Sequence, residues 1–189
     1  MNDPYLEKVL QLAGVVSPVE QPKEDDWQAL ERELGIWFPE DVKLLITSLG
    51  SGYFGEFSLL NPCSSSKYAR LSRERLLLYQ HNLQPIAREG GFSLYPDRNG
   101  LIRIGAGSNR LDLLLQPMSS QPVEYRLAWL DQDDRIPRWL DLTVARFLHD
   151  LYLGLLSVGW ATELKELIWG PDDPFFISQP GRGEAPADL

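Results

Sequence analysis

The middle of the chain, residues 92–130, most constrains the fold, because it holds short apolar segments separated by turns of a few residues. Strands are predicted at Phe92–Tyr95, Leu101–Ile104, Leu111–Gln116 and Val123–Leu130. The Asn99-Gly100 pair between the first two is typical of a tight hairpin. Parallel strands need a long crossover connection, and these connections are too short to provide one. The segment therefore predicts an antiparallel sheet.

Helical patterns precede this segment. A helix is predicted from about Glu24 to Leu34, where Gly35 can adopt the left-handed conformation that ends a helix. The next helix starts at Pro39, because a missing amide donor costs little in a first turn. A further helix is predicted from Ser72 to about Leu83, and we expect Pro85 to limit it.

Two more helices are predicted after the strands. Asp141 or Thr143 is the expected N-cap of an amphipathic helix, and a short helix follows from Ala161 to Trp169. Helices, then a series of strands, then closing helices are typical of an α+β domain. We predict a mostly antiparallel sheet with helices packed around it.

The domain organisation follows from where prolines and glycines interrupt these patterns. Residues 23–169 are predicted to form the α+β domain. Residues 1–22 are predicted to form an N-terminal helix and a linker that attach to it. Residues 170–189 are rich in proline and glycine and are predicted to form a C-terminal tail without regular structure.

The charge balance limits the classes of partner. The chain has 27 acidic and 18 basic residues and a net charge of -9. Phosphate backbones and anionic membrane surfaces attract lysine and arginine, so we predict neither nucleic acid nor a membrane as a partner. A basic protein fits better, because complementary fields speed association. Acidity that serves only solubility is the alternative.

Targeting and redox features predict a cytoplasmic protein. No apolar run approaches the ~18 residues that a membrane span requires. The sequence from Met1 has no basic region followed by an apolar stretch, as a secretory signal would. Cys63 is the single cysteine, which excludes an intramolecular disulfide and fits a reducing compartment.

Several short segments also occur in a recognisable order. They are Trp27–Glu31 with Leu34-Gly35, Phe38–Leu45, Gly50–Gly52, Phe57–Pro62, Leu94–Pro96 with Gly100–Ile102 and Gly105, and Arg138-Trp139 through Phe147-Leu148. Together they resemble the SUKH superfamily, the Smi/Knr-like domains of fungal cell-wall regulators and bacterial immunity proteins. The resemblance implies a SUKH-like binding fold without chemistry. Bacterial members neutralise toxin domains, often nucleases.

Candidate reactive residues are few. His81 and His149 lie on separate predicted helices, and Cys63 lies in a predicted loop. No spacing typical of a zinc or calcium site occurs, so we predict no metal, no cofactor and no catalytic residue. An enzyme with Cys63 as nucleophile, activated by one of the histidines, is the alternative of a different class.

Tryptophans are the other candidates for contact with a partner. Trp27, Trp129 and Trp139 are expected in the core or at its edges, and Trp37, Trp160 and Trp169 are candidates for partial exposure. Core packing is the commoner role of tryptophan, but an exposed one beside acidic residues is a good contact candidate.

Docking is predicted at acidic loops, whose carboxylates would face a basic surface. The candidate residues are Asp97, Asp112, Asp131, Asp133 and Asp134. The leading hypothesis is an immunity protein that occludes a cognate toxin domain. The runner-up is an interaction or scaffold module in a cellular regulatory pathway. The identity of the partner and the oligomeric state stay open.

Overall fold

A computed structural model of the protein describes residues 3–14, 17–107, 110–118, 124–156 and 160–180. The helices within these ranges are α1 (Pro4–Ala13), α2 (Glu24–Leu34), α3 (Glu40–Leu49), α4 (Arg73–Gly90), α5 (Val144–Tyr152) and α6 (Ala161–Ile168). The strands are β1 (Gly52–Tyr53), β2 (Ser58–Leu59), β3 (Ile102–Ala106), β4 (Leu111–Pro117), β5 (Tyr125–Asp131), β6 (Arg138–Leu140) and β7 (Ile177–Ser178). These elements confirm the predicted α+β class.

The larger sheet is antiparallel and has the order β2-β3-β4-β5-β6, so strands that follow one another along the chain also pair within the sheet. β4 and β5 pair along their full lengths, from Leu111 opposite Asp131 to Pro117 opposite Tyr125. A register shift between Arg103 and Gly105 interrupts the pairing of β3 with β4. The short connections thus produce the antiparallel sheet that their length predicts.

The segment Phe92–Tyr95, predicted as a strand, instead belongs to a compact turn beside β3. Its pairing is limited to an isolated bridge between Leu94 and Leu101. The Leu101 amide donates to the Ser93 oxygen at 2.8 Å, and the Gly100 amide donates to the Asp97 oxygen at 2.8 Å. These hydrogen bonds fold the segment into turns. Too few residues then remain extended to form a hairpin strand.

One face of the larger sheet, which we call the inner face, carries apolar side chains: Ile102, Ile104, Leu113, Leu115, Leu127 and Trp129. They share one apolar cluster with residues of all six described helices, to which α4 contributes Leu76. The Trp129 ring lies between two phenylalanines, with centroid distances of 5.6 Å to Phe57 and 5.5 Å to Phe147. Gly105 leaves room for this packing, because a Cβ there would lie 2.3 Å from the Phe57 ring.

The opposite face, which we call the outer face, carries Leu114, Ala128 and Leu130. It packs against Tyr79, Leu83 and Ala87 of α4 and against the turn that follows this helix. The side chains of successive strand residues point to opposite sides, so the same strands supply both faces.

α4 continues past Pro85 to Gly90, so the predicted end near Leu83 is wrong. Proline removes one backbone hydrogen bond, but Leu83 and Ala87 on either side are buried against the outer face and hold both halves of the helix in place. α4 ends at Gly91, which has a φ of 68°. None of the described helices, α4 included, is long and apolar enough to cross a membrane.

The N-terminal helix α1 packs against α3 and α5. Asp3 caps it by accepting a hydrogen bond of 2.9 Å from the Tyr5 amide, and its other carboxylate oxygen accepts one of 2.6 Å from the Thr143 hydroxyl. The Tyr5 ring lies edge-on to His149, with centroids 5.2 Å apart. A helix predicted as an attachment is therefore joined to the closing helix by polar and aromatic contacts.

Residues 170–180 are folded, which corrects the prediction of an irregular tail for this part of the chain. β7 pairs antiparallel with β1. Phe175 and Phe176 are buried, with ring centroids 5.3 Å and 4.9 Å from that of Phe54. Residues 181–189 of the predicted tail lie outside the described residues, as do residues 15–16 of the linker, residues 108–109 and the predicted strand start at Val123.

Candidate functional site

A surface groove of about 310 Å³ lies between the turn that joins α2 to α3 and the turn that precedes β3. Residues 34–36 form one wall, residues 95–100 form the other, and Ile102 and Pro117 complete the lining. Binding sites are usually concave and combine apolar surface with polar groups, and this lining contains both. We call this feature the groove and treat it as the candidate site.

One hydrogen bond ties the two walls together. The Tyr95 hydroxyl donates to the backbone oxygen of Leu34, the last residue of α2, at 2.9 Å. Gly35 then takes the left-handed conformation, with a φ of 69°, and its amide donates to the Glu31 oxygen. The helix end is thereby fixed against the opposite wall, and the groove is formed before any partner binds.

The second wall is held by its own backbone. The Tyr95 amide donates to the Leu101 oxygen at 3.0 Å, and the Gln116 side chain donates to the Asn99 oxygen at 2.9 Å. A Cβ at Gly100 would lie 2.4 Å from the backbone carbon of Leu94, so the turn closes too tightly for a side chain there. These contacts join the wall to Leu101 and to Gln116 of β4.

The rim of the groove carries one charge of each sign, because Asp97 and Arg98 are both exposed. Tyr95 is buried, while Ile36 is half-buried and packs against the inner cluster. The lining can hold an apolar or amphipathic side chain of another molecule, with Asp97 available to a cation at the edge.

The acidic loop, residues 131–134, lies at the far end of β4 from the groove. Asp131 pairs with Leu111 at the start of β4, whereas the groove touches Pro117 at its end. Seven strand residues span roughly 20 Å. The structure therefore does not bring the predicted docking residues together. Asp97 stands apart from the loop.

The carboxylates of the acidic loop already have partners within the chain. Asp133 forms an ion pair of 2.8 Å with Arg110, and Asp134 pairs with Arg138. Asp131 accepts a hydrogen bond of 2.9 Å from the Asp133 amide. These pairs are largely exposed, and exposed ion pairs are weak enough to exchange with those of another protein.

Asp112 does not lie in an exposed loop, so its prediction as a docking residue is corrected. It is fully buried on the outer face. One carboxylate oxygen accepts hydrogen bonds from the Tyr79 hydroxyl at 3.1 Å and from the Gln132 amide at 2.7 Å. The other lies 2.6 Å from Arg103 Nε. Burial beside this carboxylate also raises the pKa of Tyr79. Asp112 fixes α4 to the sheet.

Cys63 is half-buried in the loop after β2, and its amide donates to the Asn61 side chain at 2.8 Å. The pKa of the Cys63 thiol is raised to about 11, mainly by burial and secondly by a hydrogen bond to the Asp26 carboxylate. The thiol is therefore protonated at neutral pH, which disfavours the nucleophile hypothesis. The described residues contain no cluster of three or more histidine, cysteine or acidic side chains suited to a metal ion.

Tryptophan exposure differs from the expectation at two positions. Trp27 and Trp129 are buried as predicted, but Trp139, expected in the core or at its edges, is 40% exposed. Trp169, a candidate for exposure, is only 4% exposed. Trp37 is 53% exposed and follows Ile36 directly, so it stands beside the groove.

Sequence reasoning missed the residues that build the groove. Nothing near Tyr95 or Ile36 in the sequence marks either residue as part of a site. The acceptor of the Tyr95 hydroxyl lies 61 residues away along the chain, so local patterns do not predict this contact. The one local signal is the run Pro96–Gly100, which predicts a tight turn without predicting what faces it.

Three comparisons with known proteins bear on the identity of the chain. No protein-family model matches it, and neither does any curated protein or any solved structure.

Proposed function

We propose that this protein is a non-catalytic binding domain that acts as an immunity protein, occluding a cognate toxin domain with the surface around the groove. The groove carries this proposal, because it offers a concave lining of mixed apolar and polar groups, fixed in place by Tyr95, and a rim with exposed charges. The order of SUKH-like segments in the sequence supports the same function.

The partner should carry a large apolar or aromatic side chain next to a basic one. The groove would receive the first, and Asp97 would pair with the second. Contacts of this kind, with a buried anchor and a charged edge, supply most of the affinity of protein interfaces. The net charge of -9 would speed the approach of a basic partner.

The acidic loop contributes less in this proposal. Asp133 and Asp134 would have to give up Arg110 and Arg138 to bind a partner, so part of the new attraction would be offset. Asp97 has no such competitor among the described residues. We therefore place the main electrostatic contact at the groove.

A neutralisation assay tests this function. The protein encoded by the neighbouring gene is produced with and without this chain, and growth and binding are measured together. Rescue of growth with direct binding is the expected result. Binding without any toxicity to relieve would support the runner-up, a scaffold module of a regulatory pathway. No binding and no rescue would remove both roles for this pair.

A charge-reversal variant locates the contact. We expect Asp97→Lys to weaken binding at least about tenfold, because like charges at a docked surface are strongly disfavoured. Asp172→Lys is the matched control, since Asp172 is exposed and lies outside the groove lining. Equal affinity of the two variants would contradict the placement at the groove.

A further inference from the structure

Trp37 differs from the other tryptophans in having no partner within the described part of the chain. The others each form a hydrogen bond, a ring contact or a cation–π contact: they are Trp27, Trp129, Trp139, Trp160 and Trp169. The Trp37 side chain forms none of these contacts with the residues that the structure describes. It is also the most exposed tryptophan, at 53%. Its ring and its indole N–H are therefore both available to another molecule.

Contacts on both sides of Trp37 hold the backbone that carries it. The Gly35 amide donates to the backbone oxygen of Glu31, and the Phe38 amide donates to the buried Glu31 carboxylate, each at 2.9 Å. Phe38 is fully buried, and its ring centroid lies 5.7 Å from that of Trp27. A backbone fixed in this way has less conformational freedom to lose when a partner binds.

The position of Trp37 favours a basic protein as the molecule that covers it. Residue Ile36, directly before it, lines the groove, so a partner that fills the groove also meets Trp37. The segment 33–41 contains acidic residues and no basic one. Of these acidic residues, Glu33 and Glu40 are exposed. Basic side chains around a partner's pocket would face these carboxylates.

We propose that Trp37 is an anchor that enters an apolar pocket on the protein partner, a pocket with a hydrogen-bond acceptor inside it and basic side chains at its edge. This inference rests on the proposed function, because it assigns to the same partner a second contact beside the groove. The groove receives a side chain of the partner, and the partner receives Trp37 in return. Tryptophans with this role are among the residues that supply most of the affinity of protein interfaces.

Alanine variants test the anchor. Binding to the protein encoded by the neighbouring gene is measured by calorimetry for the natural chain, Trp37→Ala and Trp139→Ala. We expect Trp37→Ala to weaken binding at least about thirtyfold, the loss typical of an interface hot spot. Trp139→Ala is the matched control, because Trp139 is also exposed but its ring already contacts Arg126. The control should bind within about threefold of the natural chain.

A second measurement reports whether the Trp37 ring is covered. The protein is labelled with fluorotryptophan, and the fluorine NMR signal of Trp37 is assigned by its loss in Trp37→Phe. We expect this signal to shift between water and heavy water in the free protein and to lose that solvent shift in the complex.

The outcomes separate the anchor from the proposed function. A complex in which the Trp37 signal keeps its solvent shift, or equal affinities of the two alanine variants, would overturn the anchor and leave the proposed function standing. Failure of the natural chain to bind would remove the proposed function and the anchor with it.

Discussion

The two faces of the larger sheet are stabilised in different ways. The inner face is closed by an apolar cluster that includes residues of all six described helices and the rings of Phe57, Trp129 and Phe147. The outer face is covered by α4 and one turn, and it buries the charged pair of Arg103 and Asp112. The inner face thus buries apolar side chains, whereas the outer face also buries charged and polar groups. We therefore expect the inner face to contribute more of the stability.

The largest expected effect is on the inner face. We expect Phe147→Ala to lower the free energy of unfolding by about 3–5 kcal/mol, because it leaves a cavity beside Trp129. Phe92→Ala makes the same chemical change at a half-buried position of the outer face and should cost roughly 1–2 kcal/mol. Urea unfolding of both variants measures the difference. Equal losses would contradict the proposed division between the faces.

The second-largest loss of stability is expected from the buried ion pair of Arg103 and Asp112 on the outer face. We expect Asp112→Asn to cost about 1.5–3 kcal/mol, because Arg103 loses its charged partner while the bonds to Tyr79 and Gln132 are weakened. Combining it with Arg103→Met should cost less than the sum of the single changes, since neither group is then left buried alone. A double-mutant cycle measured by urea unfolding gives the interaction energy between the two side chains. Strictly additive losses would show that Arg103 and Asp112 do not stabilise each other.

A pH effect is expected where the inner face meets α3. The Tyr125 hydroxyl donates a hydrogen bond of 2.5 Å to Asp41, yet burial is the larger influence and raises the pKa of Asp41 above 3.8. The folded protein then binds this proton more tightly than the unfolded chain. The contribution of Asp41 to stability therefore falls as pH rises from 3.8 through the raised pKa.

The variant Asp41→Asn isolates this contribution. The free energy of unfolding is measured with urea between pH 3 and pH 7, which extends roughly three units above the ordinary pKa of an aspartate. We expect it to fall less steeply with rising pH in the variant than in the natural protein. A decline of the same steepness in both proteins would mean that Asp41 does not cause it.

The smallest effect is expected at the open edge of the outer face. Trp139 is 40% exposed, and the Arg126 guanidinium lies 4.2 Å from its ring centroid. Arg126→Gln removes the cation and leaves the Trp139 ring in place, so it should cost about 0.5–1 kcal/mol, the usual range for an exposed cation–π contact. A loss as large as that of Phe147→Ala in the same urea experiment would show that this edge carries stability and would weaken the contrast between the faces.

Local patterns predicted much of this fold. The helix that ends at Leu34 and the antiparallel strands β4 and β5 follow from capping residues and from short connections, which act over a few residues. Predictions failed where distant packing decides the outcome. α4 passes Pro85 because Leu83 and Ala87 are buried, and residues 170–180 fold because Phe175 and Phe176 pack on Phe54.

The candidate site was less predictable than the fold. Asp112 reads as a strand residue beside a turn, and its burial depends on Arg103, Tyr79 and Gln132 meeting it from other elements. The groove likewise needs Tyr95 to reach Leu34 across the molecule. Charge and turn signals identify exposed acidic residues in the sequence, but they do not reveal which of them already have partners.

Hydrogen–deuterium exchange tests the proposed contact surface most directly. The protein is compared alone and in complex with the partner that it neutralises. We predict slower exchange at residues 34–36 and 95–100, the two walls of the groove, with little change at residues 131–134. Protection confined to residues 131–134, with the groove unchanged, would contradict the account.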